Sequence, residues 1–361
     1  MKKKAALYDP YLDNLGGGEK HILSILQVLD ELGFEIQVFW DKDLSKEIHN
    51  KFALQYVNKL KFLPNIFKEN KNIIEKLSLL RNFDIFFYVT DGSYFFSSAK
   101  KNFVFCMVPN KKLYNINIVN KLKLWNYSFI SNSFFTQKWL EKWRIKSQVV
   151  FPYVNNEYLS LDLNTVPKEN IILSVGRFFP HLHSKQHSLL IDWFSRVQKE
   201  NTALKPFKLI IAGGFKTEDI NYFESLKKQA ADNPKIILIP NLNFSILLDL
   251  YKRSAVYVHA AGYGIDENRH PELVEHLGIA PLEAMSAGCI TFCYNAGGPK
   301  EIIRDGQNGY LFSDFTELTE KIKKTIEDEE LQKQLMLKAH ACVADRFSYD
   351  IFKEQVKKII L

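Results

Sequence analysis

The sequence is short of the features that would assign it most quickly. It has four cysteines, Cys106, Cys289, Cys293 and Cys342, scattered without a metal-ligand pattern. That argues against a disulfide scaffold or a zinc module and leads us to expect a reduced, cytoplasmic chain. No run approaches the ~18 apolar residues a membrane span needs. The opening Met1–Pro10 is basic, but its apolar stretch is too short for a signal peptide and reads as a first buried strand. Neither Gly-x-Gly-x-x-Gly nor Gly-Lys-Ser/Thr occurs, which argues against a dinucleotide fingerprint or a P-loop. There is no internal repeat, and no low-complexity segment beyond an enrichment in lysine and asparagine.

What is present is ordinary globular material: 361 residues, 46% hydrophobic and 25% charged. The length suits two domains, and the composition excludes disorder over most of the chain. Charge is unevenly placed. Residues 1–155 hold 23 Lys and Arg against 14 Asp and Glu, a net of +9, and the remainder holds 25 against 27, a net of −2. Nucleic acid, an anionic membrane face, an anionic acceptor or plain solubilisation all account for such a surplus.

Strand-length apolar runs alternate with helical-period stretches. In the first half the strands are expected at Ala5–Tyr8, Glu35–Phe39, Ile85–Val89, Phe103–Met107, Ser128–Ile130 and Val149–Phe151. After a polar, proline-bounded stretch at Pro152–Pro167 the pattern restarts at Ile171–Val175, Lys208–Ala212, Ile236–Ile239, Ala255–His259 and Ile290–Tyr294. The chain ends in helical stretches. This alternation predicts an α/β fold of two tandem Rossmann-like, doubly wound domains, residues 1–155 and 156–345, with a C-terminal helix at 346–361 packing back on the first. Ligands of such sheets bind outside the carboxyl ends of the strands, and a cleft between two such domains is the expected site.

Several segments place chemistry at strand ends. Gly16-Gly17-Gly18-Glu19 follows the first strand and opens a helix, so it is either a flexible turn or a close backbone approach to an anion. Arg177 ends a strand and Lys185 is expected to start the next helix; they either converge on a diphosphate or are two solvated cations. His181, His183 and His187 cluster between and beside them, which reads as a polar loop or a zinc site lacking further ligands. The densest run extends from His259 to Glu283. Its two carboxylates, Glu275 in a loop and Glu283 in the first turn of a helix, fit glycoside hydrolysis or the binding of sugar and ribose hydroxyls. Between them Gly278 and its neighbours offer N–H groups to a phosphate. A last turn, Ala296-Gly297-Gly298-Pro299-Lys300-Glu301, follows a strand, with Pro299 placed to begin a helix.

Taken together these segments resemble the retaining glycosyltransferases of family 4, which have the GT-B fold of two Rossmann-like domains facing a cleft. The order matches along nearly the whole chain, and the second half carries most of the likeness. Glu275-x7-Glu283 inside Glu-His-Leu-Gly-Ile-Ala-Pro-Leu-Glu-Ala-Met is the specific part; its Glu-His-x-Gly-Ile wording is also similar to members that transfer mannose to lipid-linked oligosaccharides. The resemblance implies that Glu275 binds donor-sugar hydroxyls and Glu283 the ribose. It implies that Arg177 and Lys185 neutralise the diphosphate leaving group, in place of a metal. Backbone at Leu277, Gly278, Ile279 and Ala280, and at Gly17 and Gly18, would add donors to the phosphates. Gly297 and Gly298 would let backbone approach the donor, and Asn241 and Leu242 would flank the base. No cofactor and no metal are expected, and retention is assigned to front-face displacement without a protein nucleophile.

One departure matters. Many relatives carry a histidine after the strand matching Phe103–Met107, and here that place reads Phe105-Cys106-Met107-Val108-Pro109-Asn110. His259 is a candidate stand-in near the donor sugar, or else a strand-end core histidine. On the acceptor side aromatics interleave with cations at Tyr94–Phe96, Lys100–Lys101, Lys111–Lys112, Trp125, Phe134–Phe135 and Trp139–Arg144. These belong either to the core or to a surface that rests on an anionic bilayer.

The expected function is a hexosyltransferase that moves a sugar from GDP-mannose or a UDP-sugar to a glycan or lipid-linked acceptor. The expected setting is bacterial surface polysaccharide synthesis on the inner membrane face, without nucleic acid. Competing readings are a sugar-nucleotide epimerase or hydrolase, a non-catalytic sugar-nucleotide sensor, and a nucleic-acid-binding protein motivated by the basic first half.

Overall fold

A computed structural model describes residues 2–68, 72–165, 167–180 and 184–361. The chain divides into two compact units, Met1–Pro152 with Phe352–Leu361, and Tyr153–Ile351. Each is built on a wholly parallel sheet.

The strands of the first unit are β1 (Lys4–Tyr8), β2 (Glu35–Phe39), β3 (Lys61–Leu63), β4 (Ile85–Val89), β5 (Lys101–Cys106), β6 (Tyr127–Ser131) and β7 (Ser147–Val149). Their order across the sheet is β3-β2-β1-β4-β5-β6-β7. Central strands covered on both faces must be apolar throughout rather than alternating. β4, Ile-Phe-Phe-Tyr-Val, is accordingly buried at every position. Much of this core is aromatic: Tyr8 stacks on Phe67 at 4.2 Å, and Phe67 packs against Phe95 at 4.4 Å between ring centroids. Residues Phe352–Leu361 close the unit, with Gln355 Oε1 accepting from the Phe151 N–H at 3.1 Å and Lys353 paired to Glu31 at 2.6 Å.

The second unit contains β8 (Glu169–Val175), β9 (Lys208–Gly213), β10 (Ile236–Pro240), β11 (Ser254–His259), β12 (Ile290–Tyr294) and β13 (Tyr310–Phe312), in the order β10-β9-β8-β11-β12-β13. Its core gathers Trp193, Phe194 and Phe178 from the helical side against Ile172, Leu209 and Val258 of the sheet. Asp314 and Asp328 each accept from first-turn N–H groups and start the helices Phe315–Ile326 and Glu329–Phe347.

The fold is therefore α/β with two doubly wound parallel sheets and C-terminal helices, as the alternation predicts. Two strands had no clear signal, β3 and β13, each three residues long and too short to show periodicity. The polar stretch at Pro152–Pro167 carries a short helix, Asn156–Leu159. In each sheet the strand order reverses once, between β1 and β4 and between β8 and β11. Crossovers leave those two points in opposite directions, so a crevice opens at the carboxyl ends of the paired strands. Of the interleaved aromatics, Tyr94, Phe135 and Trp139 are buried, while Trp125 and Phe134 are exposed. Among the described residues no helix is long and apolar enough to cross a membrane.

Candidate functional site

In the second unit the reversal point gathers three of the expected residues. β8 ends at Val175, and the chain continues through Gly176 and Arg177 to Lys185. β11 ends at His259, and the loop after it carries Glu275. Lys185 Nζ donates to Glu275 Oε2 at 2.5 Å, and His259 Nε2 lies 2.8 Å from the same oxygen. The Lys185 and Glu275 side chains are only 19% and 16% exposed, and His259 is 2% exposed. The three groups therefore interact where water screens them little. Burial pushes the Glu275 carboxyl up, but the Lys185 ammonium and the His259 hydrogen bond outweigh it and hold the group well below the usual carboxylate range. Burial, reinforced by Lys185 and opposed by the Glu275 bond, pushes the His259 imidazole down.

These directions fix the protons. Glu275 is an ionised acceptor, so a neutral His259 carries its proton on Nε2 and leaves Nδ1 to accept. Tyr257, two residues earlier on the same face of β11, has its hydroxyl 3.2 Å from Nδ1. Burial raises the Tyr257 hydroxyl well above its ordinary value, so it remains a donor. The bonds from Tyr257 through His259 on one side and from Lys185 on the other thus converge on Glu275, and both bonds to it end on Oε2. Among the described residues Oε1 has no partner and is an open acceptor.

Lys185 does not start its helix. The helix spans His187–Glu200, preceded by Gln186 at φ 57°. The left-handed residue turns the chain and leaves Lys185 in the loop, where its stem lies against Gly176; a Cβ there would stand 2.4 Å from Lys185 Cγ. Arg177 follows at once, half-buried, with its guanidinium 4.7 Å over the Phe179 ring. His187 is fully buried against Phe178 at 5.0 Å, and burial, with Lys185 and His259 adding, pushes it down to about 3. His181 and His183 lie outside the described residues.

The Glu275 loop is clamped from the next strand over. Gly298 N–H donates to the Glu275 carbonyl at 2.8 Å. A Cβ on Gly297 would stand 2.1 Å from that carbonyl oxygen, and one on Gly298 2.3 Å from both His276 O and Leu277 Cα. Gly297 N–H already donates to Glu267 Oε2 at 2.5 Å, and the other Glu267 oxygen pairs with Lys300. Gly297 and Gly298 therefore act on this loop by close backbone approach.

Gly278, at φ 103°, reverses the chain and caps the helix Ile279–Ser286. Leu277 is buried just before it. The N–H groups of Ile279 and Ala280 head the helix and have no intrahelical acceptor, as in every first turn. Glu283 sits in the second turn of that helix, not the first, because the helix begins at Ile279. The Tyr251 hydroxyl lies 3.3 Å from both Glu283 Oε2 and the Ala280 carbonyl. Asn241, at φ 52°, and the half-buried Leu242 follow the edge strand β10. The Asn241 N–H donates to Gly213 O at 2.8 Å, and its Oδ1 accepts from the Phe215 N–H at 3.1 Å.

In the first unit Gly17 opens the helix Gly17–Glu31, and Glu19 Oε2 accepts from the Gly16 N–H at 2.6 Å. A Cβ on Gly18 would meet Met107 Sδ at 2.1 Å, so Met107, in the Phe105–Asn110 segment, packs on the glycine loop. Beside them is a residue that sequence reasoning passed over. Asp9, at the end of β1, is fully buried, and its Oδ2 has no hydrogen-bond partner. Burial, with Glu19 adding, raises its carboxyl well above the ordinary range. Tyr257, Tyr251 and Glu267 were passed over as well. Only Tyr257 carried a signal, its two-residue spacing from His259 on one strand face.

A largely buried, ionised carboxylate with an open oxygen, an adjacent ammonium, an arginine two residues beyond a strand and a helix start suit a polyhydroxylated, anionic ligand. Known proteins of similar sequence and fold handle such ligands. The human alpha-1,3/1,6-mannosyltransferase ALG2 is 28% identical over 207 residues, 55% of this chain and 47% of its own. A Dictyostelium discoideum GDP-Man:Man(3)GlcNAc(2)-PP-Dol alpha-1,2-mannosyltransferase is 27% identical over 256 residues, 69% of this chain and 49% of its own. The chain thus spans about half the length of these curated relatives. Among solved structures, Anabaena HepE in complex with UDP and glucose superposes with a TM-score of 0.73 at 15% identity, covering 99% of both chains. A glycosyltransferase from Rickettsia africae gives 0.73 at 20% identity, over 99% of this chain and 97% of its own. These likenesses are to GT-B glycosyltransferases, and they match the two-sheet architecture described above. The family described as "Glycosyl transferases group 1" matches residues 159–340. That is half of the chain and takes in Lys185, His259, Glu275, Glu283 and the Gly297–Gly298 turn; the protein belongs to this family of glycosyltransferases.

Proposed function

We propose that the protein is a retaining, metal-independent family 4 hexosyltransferase. In this reading it moves a sugar from GDP-mannose or a UDP-sugar to a glycan or lipid-linked acceptor in the assembly of a surface polysaccharide, at the inner face of a membrane. The observation that carries the reading is the open Oε1 of Glu275, on a carboxylate held ionised by Lys185 and His259. A group so held accepts hydrogen bonds from sugar hydroxyls and is unsuited to be the general acid of a hydrolase.

The other roles follow from charge and position. Lys185 lies beside Glu275, so a sugar gripped there brings its diphosphate to the ammonium, with Arg177 one residue beyond Gly176. Both stabilise the negative charge that builds on the diphosphate as the sugar leaves, and such charge stabilisation acts on the transition state. Ile279 and Ala280 offer N–H donors at a helix start, and Glu283 accepts from ribose hydroxyls. In the first unit, Gly17 and Gly18 offer backbone at another helix start. Retention rests on the departing phosphate taking the proton of the incoming hydroxyl, so no protein nucleophile is assigned.

The test is incubation of the purified chain with GDP-mannose, UDP-glucose and UDP-N-acetylglucosamine plus candidate acceptors, with and without a chelator. The reading expects an extended product whose new linkage keeps the donor's anomeric configuration by NMR and whose yield is unchanged by chelation. Free sugar or an epimerised donor as the sole product would overturn it, as would an inverted linkage.

A further inference from the structure

The helix Ile279–Ser286 offers N–H groups at its start, and its other end is held in an unusual way. A helix leaves its last carbonyls without intrahelical partners. Here the turn that follows serves three of them. The Ala287 N–H donates to Glu283 O at 3.0 Å, the Cys289 N–H to Ala284 O at 2.9 Å and the Gly288 N–H to Met285 O at 3.2 Å. Gly288 makes that turn at φ 75°, and a Cβ on it would stand 3.0 Å from both Leu163 Cδ2 and Met336 Cγ. The next two carbonyls are served by side chains from elsewhere in the second unit. His340, on the helix Glu329–Phe347, places Nδ1 2.7 Å from Ser286 O. Lys168, one residue before β8, donates Nζ to Ala287 O at 2.7 Å. The same ammonium donates to Lys252 O at 2.8 Å, in the last turn of the helix Phe244–Arg253. That second helix carries Tyr251, whose hydroxyl meets Glu283 and the Ala280 carbonyl.

We infer that Lys168 and His340 are positioning residues for the donor: they fix the rear of the helix Ile279–Ser286 and so set where its first-turn N–H groups and Glu283 stand relative to Arg177. The inference rests on the proposed donor role of that helix. The helix is only eight residues long, too short to hold its own shape and direction in water. Its start lies about 12 Å from its end, at roughly 1.5 Å per residue, so neither side chain touches a ligand bound there. The Lys168 ammonium suits the place, because both helices end in negative partial charge and charge-assisted bonds are the stronger ones. Burial pushes that ammonium down, so its two carbonyl bonds offset a real desolvation cost. One cation thus joins the rear of the two helices that hold Glu283 to the first end of β8, whose other end leads to Gly176 and Arg177.

The experiment has two readouts on the full chain. Amide hydrogen exchange without nucleotide reads the anchoring itself. In Lys168→Met, exchange over residues 282–289 is expected to quicken about tenfold, the loss of a hydrogen bond to a charged group, while β8 and β9 stay protected. His340→Leu should quicken it severalfold, and His340→Asn, whose amide N–H takes the place of Nδ1–H, should restore it. Titration calorimetry with UDP and with GDP reads the consequence. Affinity for the nucleotide that wild type binds should fall about tenfold in Lys168→Met. The ratio to wild type should persist at about 0.5 M salt, where charge is screened beyond roughly 4 Å. His340→Asn should bind as wild type does. A folded Lys168→Met with wild-type exchange or wild-type affinity would overturn the inference. So would an affinity loss that vanishes in salt, because it would report long-range attraction of the phosphates rather than placement of the helix. Wild type that binds neither nucleotide, with exchange altered as expected, would overturn the donor reading and leave the anchoring standing.

Discussion

Replacing Lys185 by Met and Glu275 by Gln, singly and together, isolates what the ion pair at the second unit's reversal point contributes. At an effective dielectric constant of about 20, unit charges roughly 3 Å apart attract by about 5 kcal/mol. Desolvating each ion costs several kcal/mol in return, so the intact pair adds little net stability. Removing one partner is different, because the other charge remains in a site that is 16–19% exposed with its main compensation gone. Lys185→Met leaves Glu275 with one hydrogen bond from a neutral imidazole. Glu275→Gln leaves the ammonium facing an amide. Each single change is therefore expected to cost about 3 kcal/mol, the low end for a buried pair because some water reaches it.

The double variant should lose no more than either single one. In it Met packs its stem on Gly176 and the Gln carbonyl still accepts from His259. The expected coupling is then about 3 kcal/mol. Urea titration at pH 7.5, read by circular dichroism and tryptophan fluorescence, measures it. Trp193 lies in the second unit's core at 1% exposure and reports on that unit. Losses that simply add would refute the reasoning, as would single losses under about 1 kcal/mol, typical of a surface bridge. The pH dependence has a definite sign. Glu275 has a depressed folded pKa, so its contribution is present above the unfolded value near 4.3 and lost as pH falls through the folded one. In Lys185→Met the folded value rises, so the loss over this acid range should be smaller and should end at higher pH.

Gly298→Ala would place a Cβ 2.3 Å from backbone of the Glu275 loop, so nucleotide affinity measured by calorimetry should fall at least tenfold while the second unit stays folded. Asp9 has a raised folded pKa, so its favourable term is present below its unfolded value and lost as pH rises. Asp9→Asn should therefore raise the melting temperature at pH 7.5, with the gain vanishing towards pH 4. His21 and His187 are both pushed down to about 3, by burial above all. Both are neutral in the fold, so stability should fall as pH drops below about 6.5, by about 3 kcal/mol between pH 7.5 and 5.5. His21→Leu should flatten that slope in a urea-titration series, and an unchanged slope would count against the assignment.

Why some of this was legible in the sequence and some was not comes down to range. β4, β8 and β11 are apolar runs because parallel central strands are covered on both faces, and that signal is local. Glu275, Gly278 and Glu283 are legible for the same reason, lying within one loop and one helix. His259 and Lys185 are 16 and 90 residues from Glu275. Their meeting depends on β8 and β11 being neighbours, which no window of sequence contains. Asp9 reads as an ordinary polar strand end, and its burial with an open oxygen is a tertiary fact. β3 and β13 were hidden because three residues cannot show a period. The helix start misassigned to Lys185 turned on a non-glycine residue, Gln186, taking a left-handed turn for which sequence gives no warning.

The seven residues between Glu275 and Glu283 also acquire a physical meaning. Gly278 at φ 103° separates a loop from a helix, so the two carboxylates are held by different elements. Glu275 is fixed from outside the segment, by Lys185 and His259 at its side chain and by the Gly298 N–H at its carbonyl. Glu283 is carried by its helix and met by Tyr251 from the helix Phe244–Arg253. A pair of equivalent acids sharing one bond would need their pKa values driven apart, with one raised. Here Glu275 is driven down and left with one unused acceptor. The segment therefore holds two separate hydroxyl acceptors with helix-start donors between them. In the proposed reading those acceptors serve a ligand with sugar at one end, ribose at the other and phosphate in the middle.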